Sequence, residues 1–158
     1  MVLHRIDALV LADLEAAIDI DLAAFVPSEL GVGREEPSVV RERSLREELV
    51  RPWARLRAAR DESGALLGYA LFWHVVDELH LLNVAVAIPA RRQGIGRALV
   101  NDLVAYARAH AVVRILLEVR AGNTGAIALY EQLGFTRFNV RERYYADDED
   151  AIEMSLIL

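Results

Sequence analysis

The chain has 158 residues, 54% of them hydrophobic and 27% charged, with a net charge of −6 and no cysteine. These values fit one folded domain and exclude a disordered chain, a disulfide framework, a thiolate zinc site and a cysteine nucleophile. The acidic balance argues against direct nucleic-acid binding, which needs a basic face, and suits a cationic acceptor such as an amine or a basic peptide.

Residues 1–25 read as one amphipathic helix, with Asp13 as N-cap and Leu14, Ile18, Leu22 and Phe25 along one face. Acids run through this apolar part, so it does not read as a secretory signal. No run approaches the roughly 18 to 20 apolar residues of a membrane span, and a cytoplasmic protein without membrane contact is expected. Two prolines and two glycines make 27–40 a loop. A charged helix follows at 41–50 and ends at Pro52. The period then changes to that of strands, with a hairpin turning at Glu62, Ser63 and Gly64. A third apolar run, 79–88, is stopped by Pro89. The next helix, 93–110, carries Ile95, Leu99, Leu103 and Ala107 on one face. Residues 112–119 form a continuous apolar strand, expected to be covered on both faces. A short helix opens at Asn123 or Thr124 and stops at Gly134. Two closing strands, 135–145 and 151–158, flank an acidic turn at 147–150 that reads as solvated. The expected fold class is α/β, a mixed α+β sheet with helices on its faces.

The stretch "RRQGIGRALV" (91–100) joins an apolar strand to an apolar helix through a basic glycine turn. The first amides of a helix lack internal partners and lie at the positive end of its dipole, so such a turn can bind a phosphate. Gly94 and Gly96 let a ligand approach the backbone, and Arg91, Arg92 and Arg97 add charge-assisted donors. Three alternatives compete. A dinucleotide fingerprint fails at Leu99, although Glu118 stands where its ribose-binding acid is expected. A P-loop lacks its Gly-Lys-Ser/Thr. A glycine turn with solvated arginines is the plain alternative. The four histidines, His4, His74, His80 and His110, show no ligand spacing, so no metal is expected.

Together, "LLNVAVAIPARRQGIGRALV", "LEVRAGNTGAIALYEQLGF" and "RERYYADDEDAIEMSL" resemble the GCN5-related N-acetyltransferases, the GNAT superfamily. More narrowly they resemble its RimI-like branch of ribosomal-protein-alanine N-acetyltransferases. The likeness is strong from about residue 64 to 156. It implies a GNAT fold: a mostly antiparallel central sheet, split between two parallel strands. It also implies acetyl-CoA as cosubstrate, no metal, and a protein N-terminus as acceptor, with the enzyme a monomer or weak dimer. The acceptor would be the N-terminal alanine of a small-subunit ribosomal protein.

By the same resemblance, Glu118 is the base and Tyr130 the acid. Val84, Ala85 and Val86 meet the acetyl end of the cofactor, with the amides of Val84 and Val86 freed by a bulge. The amides of Gln93, Gly94, Ile95, Gly96 and Arg97 hold its pyrophosphate, with Arg91 and Arg92 beside them, and Asn123 contacts its pantetheine arm. Asn83, Arg143, Tyr144 and Tyr145 join Glu118 on the acceptor side. Adjacent tyrosines on a strand point to opposite faces, so only one of Tyr144 and Tyr145 is expected to line the site. Strand alternation independently sets Glu118 opposite Leu117 and Val119, at a strand end expected to be partly desolvated. Its competing role is a salt bridge to Arg120 or Arg143. Tyr130 competes with a core role, and Asn123 with plain capping. The pattern departs from the family at 27–53, where Pro52-Trp53 comes later than the usual Pro-Trp. That leaves other acceptors open: a small amine, a polyamine or a lysine side chain. A non-catalytic acyl-CoA-binding or partner-binding domain is the remaining rival.

Overall fold

A computed structural model describes residues 4–24 and 35–158. The expected place of Phe25 on the first helix, and that of the loop across 27–34, lie outside the described residues. Seven strands form one sheet in the order β1-β2-β3-β4-β5-β7-β6. They are β1 (Arg5–Ala8), β2 (Ala54–Arg60), β3 (Leu66–Val75), β4 (Glu78–Val86), β5 (Arg114–Arg120), β6 (Thr136–Arg141) and β7 (Ala151–Ile157). The helices are α1 (Leu14–Ala24), α2 (Pro37–Val50), α3 (Ile95–Ala109) and α4 (Thr124–Gln132). Every neighbouring strand pair is antiparallel except β4 and β5.

Several element boundaries differ from the sequence expectation, among them that of β6, which ends at Arg141 rather than at 145. The N-terminal segment is not one helix: Arg5–Ala8 is an edge strand on β2, and only Leu14–Ala24 is α-helical. Asp13 does not cap α1. Its carboxylate accepts from the Val10 amide at 2.8 Å and pairs with Arg60, which is nearly buried. The second helix begins earlier than expected because Pro37 starts it rather than breaking a loop. Proline is tolerated in the first helical turn, where its missing N–H has no intrahelical acceptor anyway.

The helices divide the core. The α1–α2 side packs Leu14, Ala17, Ile20 and Leu45 against Leu56, Tyr69, Leu71 and Ala85. The opposite side packs Val100, Leu103, Ile127 and Tyr130 against Leu79, Leu81, Ile115, Leu117 and Val119. The amphipathic face predicted for α3 is buried at Ile95, Leu99, Leu103 and Ala107. The two-sided burial predicted for β5 does not hold: Ile115, Leu117 and Val119 are buried, whereas Arg114 and Glu118 on the other face are exposed.

One irregularity positions the site. β3 pairs Leu71 with Asn83 and Phe72 with Leu81, so Leu82 has no opposite number and forms a bulge. A one-residue bulge reverses side-chain alternation. Leu79 and Leu81 enter the core on the α3–α4 side, whereas Ala85 enters the core on the α1–α2 side. The parallel pairing of β4 with β5 also stops there, at Leu81 opposite Leu117. Beyond that point the two strands diverge.

Candidate active site

Where β4 and β5 diverge, β4 is paired on one edge only. The Ala87 amide donates to the Leu67 carbonyl at 2.8 Å. With Tyr69 opposite Ala85 and Gly68 opposite Val86, the alternation turns the backbone groups of Ala85 toward β3. Those of Val84 and Val86 face the gap. The Val86 carbonyl there accepts from Arg91 Nε at 3.2 Å.

A cleft of about 780 Å³ runs from this gap to the start of α3, lined by Val84, Ala85, Val86, Arg91, Arg92, Gly94, Ile95, Gly96, Arg97 and Asn123. Gly94 is at φ +81°, where a side chain is strained, and a Cβ built on it would meet nothing within 4 Å. At Gly96 a Cβ would touch Leu129 and Val86 at ordinary contact distance, so the fold itself does not demand glycine there. What the two glycines leave bare is the first turn of α3, with its unpartnered amides and positive dipole end. A basic cleft leading to that turn fits a phosphorylated cofactor. The Gln93 side chain donates to the Pro89 carbonyl at 3.1 Å, so only its backbone amide is left for a ligand at this turn. Ala24, Leu129 and Gln132 also line it, and none of the three was among the expected site residues.

A second cavity of about 400 Å³ adjoins the cleft, sharing Val84, Asn123, Ala126 and Tyr130 with it. Glu118, Asn83, Arg41 and Tyr145 line this second cavity. Tyr130 thus stands between the two spaces. Its ring packs near Phe135, with centroids 5.6 Å apart, and burial pushes its hydroxyl up to about 12. Asn123 performs the capping expected of it, accepting from the Ala126 amide at 3.2 Å, and it also lines both spaces.

Glu118 stands opposite Leu117 and Val119, as alternation requires. It is more open than a desolvated base would be, with a third of its side chain exposed, and its ionic partner is Arg141 at 3.4 Å rather than Arg120 or Arg143. The Tyr144 hydroxyl is raised above its ordinary range, first by its hydrogen bond to the Glu118 carboxylate and then by burial. A groove of about 540 Å³ continues past Glu118 between Leu82, Phe138, Tyr144 and Tyr145.

Tyr144 and Tyr145 lie beyond the end of β6, so strand alternation does not govern them, and both line this groove with rings 5.2 Å apart. Arg143 does not border these cavities. It holds the turn at φ +50°, its amide donating to Asp150 at 2.9 Å. Nor is the acidic turn merely solvated. Asp147 and Glu149 both bind Arg120, whose guanidinium sits 4.0 Å from the Tyr145 ring centroid. Among the described residues, no cluster of histidine and acid side chains could hold a metal ion, and no helix is long and apolar enough to cross a membrane.

The acetyltransferase (GNAT) family matches residues 16–135. The chain belongs to that family. An Escherichia coli K12 relative, the [ribosomal protein bS18]-alanine N-acetyltransferase, is 43% identical over 98 residues, which cover 60% of this chain and 66% of the relative. A putative enzyme of the same name from Bacillus subtilis is 34% identical over 95 residues, 60% of this chain and 63% of that protein. The chain thus spans just under two thirds of the length of these curated relatives. In three dimensions the likeness is longer. The crystal structure of the ribosomal-protein-S18-alanine N-acetyltransferase from Escherichia coli superposes with a TM-score of 0.82 at 32% identity, over 98% of this chain and 94% of that one. The spermidine/spermine N-acetyltransferase of Vibrio cholerae, at 17% identity and TM-score 0.77, shares the fold.

Proposed function

We propose that this GNAT protein transfers an acetyl group from acetyl-CoA to the α-amine of a protein N-terminus, the N-terminal alanine of a small-subunit ribosomal protein. The observation that carries the reading is the meeting of two spaces at the β4–β5 divergence. A carboxylate lies on the acceptor side, and a buried phenol borders both. The names of the relatives support the choice of acceptor.

Bound in the larger cleft, acetyl-CoA supplies an acetyl carbon attached to sulfur, so the transfer makes one N–C bond and breaks one C–S bond. Glu118 accepts the proton the amine gives up, directly or through one water. The amides of Val84 and Val86, turned into the gap, donate to oxygen where negative charge develops. Tyr130 holds the proton that the departing sulfur needs. With its hydroxyl pushed up to about 12, it stays protonated throughout the neutral range. Arg91, Arg92, Arg97 and the first amides of α3 hold the phosphates. The attack is direct, so no nucleophile of the chain is needed.

The test is acetyl transfer to a peptide with a free ribosomal-type alanine terminus, to an internal-lysine peptide with a blocked terminus, and to spermidine. Glu118→Gln runs in parallel. Transfer to the alanine terminus, lowered by about 10²–10⁴-fold in the variant, is expected. Turnover of lysine or polyamine alone would overturn the acceptor. Cofactor binding without any turnover would favour a non-catalytic acyl-CoA-binding domain.

A further inference from the structure

Beside the acceptor cavity lies a polar cluster that the transfer chemistry leaves unused. Asp21 of α1 is fully buried. The Tyr69 hydroxyl of β3 lies 2.7 and 2.6 Å from its two oxygens, and Arg41 of α2 donates through Nε at 2.5 Å. The Asn83 amide of β4 donates to the Tyr69 hydroxyl at 2.7 Å and reaches Asp21 at 3.4 Å. Burial holds the Tyr69 hydroxyl well above its ordinary range, so it stays a donor to the carboxylate. Replacing such a buried pair by apolar side chains of similar volume is often neutral or stabilising, and Tyr69 shares its core cluster with the apolar Leu14, Ala17, Ile20, Leu45 and Leu71. The fold alone does not call for the pair.

Its placement does. Arg41 and Asn83 leave the cluster to line the acceptor cavity with Glu118 and Tyr130. The Arg41 side chain is 21% exposed, whereas Asp21 is wholly shielded. A cation anchored in that wall repels an ammonium group and attracts oxygen. It suits an acceptor whose amine reacts in the neutral form and which carries an oxygen on the next carbon but one. A peptide terminus has that oxygen in its first carbonyl; a polyamine has none and brings further positive charge.

We infer that Asp21 is a positioning residue that fixes Arg41 as the specificity-determining cation of the acceptor cavity, where it takes the first carbonyl oxygen of an α-amino carbonyl acceptor. The inference rests on the acetyltransferase reading above. Arg41 falls within 27–53, the stretch where the sequence departs from the family it resembles.

The test uses the full chain with two acceptors: an alanine-started peptide, and the same peptide with an alkene replacing its first amide, which removes the carbonyl oxygen and keeps the shape. Wild type prefers the peptide by about tenfold or more in kcat/KM, the scale of one charge-assisted hydrogen bond. Arg41→Gln and Asp21→Asn lose that preference through KM for the peptide. They leave the alkene acceptor within about threefold and the Kd for acetyl-CoA unchanged, which also reports that they fold. Free alanine as a third acceptor distinguishes the source of the oxygen. Turnover with the same dependence on Arg41 keeps the role and moves the source to a carboxylate. Equal losses on peptide and alkene, or no change on either, would overturn the inference and leave the acetyltransferase reading standing. Cofactor binding without turnover of any acceptor would take both down.

Discussion

Tyr130→Phe removes one oxygen from the boundary between the two spaces and little else. Tyr130 is 8% exposed, and burial is the cause of its raised pKa. Loss of a hydroxyl without leaving a buried partner unsatisfied is close to neutral, so folding stability at pH 7 is expected to change by less than about 1 kcal/mol. The chemical effect is larger. A positioned general acid contributes about 10²–10⁴-fold, and kcat is expected to fall by that factor while the Kd for acetyl-CoA stays within about threefold. Release of free thiol reads the rate, and calorimetry reads the binding. A pH series gives an independent check. Because the folded-state pKa is raised to about 12 from 10, the folded chain keeps a proton the unfolded chain loses. Stability is therefore full below pH 10 and declines toward pH 12, by on the order of 2–3 kcal/mol from this group. Tyr130→Phe should lack that share of the decline. A variant with kcat within threefold of wild type would refute the acid role, whatever its stability.

Three further outcomes are expected. A Cβ at Gly68 would come within 2.6 Å of the Ala85 carbonyl oxygen. Gly68→Ala must push β4 aside next to the gap, costing about 1–3 kcal/mol in thermal unfolding and weakening acetyl-CoA binding. Gly94→Ala meets no atom but takes a left-handed backbone, so it loses about 1 kcal/mol of stability. Its methyl group stands in the cleft, and the Kd for acetyl-CoA should rise about tenfold by titration; an unchanged Kd would remove the phosphate reading of this turn. Arg60 holds the Asp13 carboxyl below its ordinary range, first by hydrogen bonding. A depressed carboxylate contributes stability above the unfolded pKa of about 3.9, and that contribution is lost as pH falls further. Asp13→Asn should cost about 1.5–3 kcal/mol in denaturant at pH 7, and its curve should converge on that of wild type only as pH falls from about 4 through the depressed folded-state pKa.

The α3 helix, the hairpin and the place of Glu118 on β5 were legible because each rests on a local period that neighbours reinforce. β1 was not, since four residues, Arg5–Ala8, give alternation too little length, and the apolar run after them continues into α1. The start of α2 was misread because proline at Pro37 is a breaker in mid-helix but a starter at its first turn. The turn after β6 failed for another reason: Tyr144 and Tyr145 follow turn geometry, which strand alternation does not describe. Arg141 as the partner of Glu118, and the Asp21–Tyr69–Asn83–Arg41 cluster, join residues brought together only by the sheet and the helices packed on it. No spacing in the chain announces them. The glycine turn and the proposed acid and base, Tyr130 and Glu118, could be named because a family pattern marks them, not because the turn alone was decisive.

The bulge at Leu82 has a consequence for how this site tolerates change. The donors it turns into the gap at Val84 and Val86 are main-chain groups. Side chains there can be exchanged for others of similar bulk without removing a donor. Alanine at either position would cost packing but remove no donor, whereas proline there would abolish an amide. Evolution can therefore rewrite the letters of this segment while the hole it frames stays the same, so long as one surplus residue remains between the paired and the parted halves of the strand.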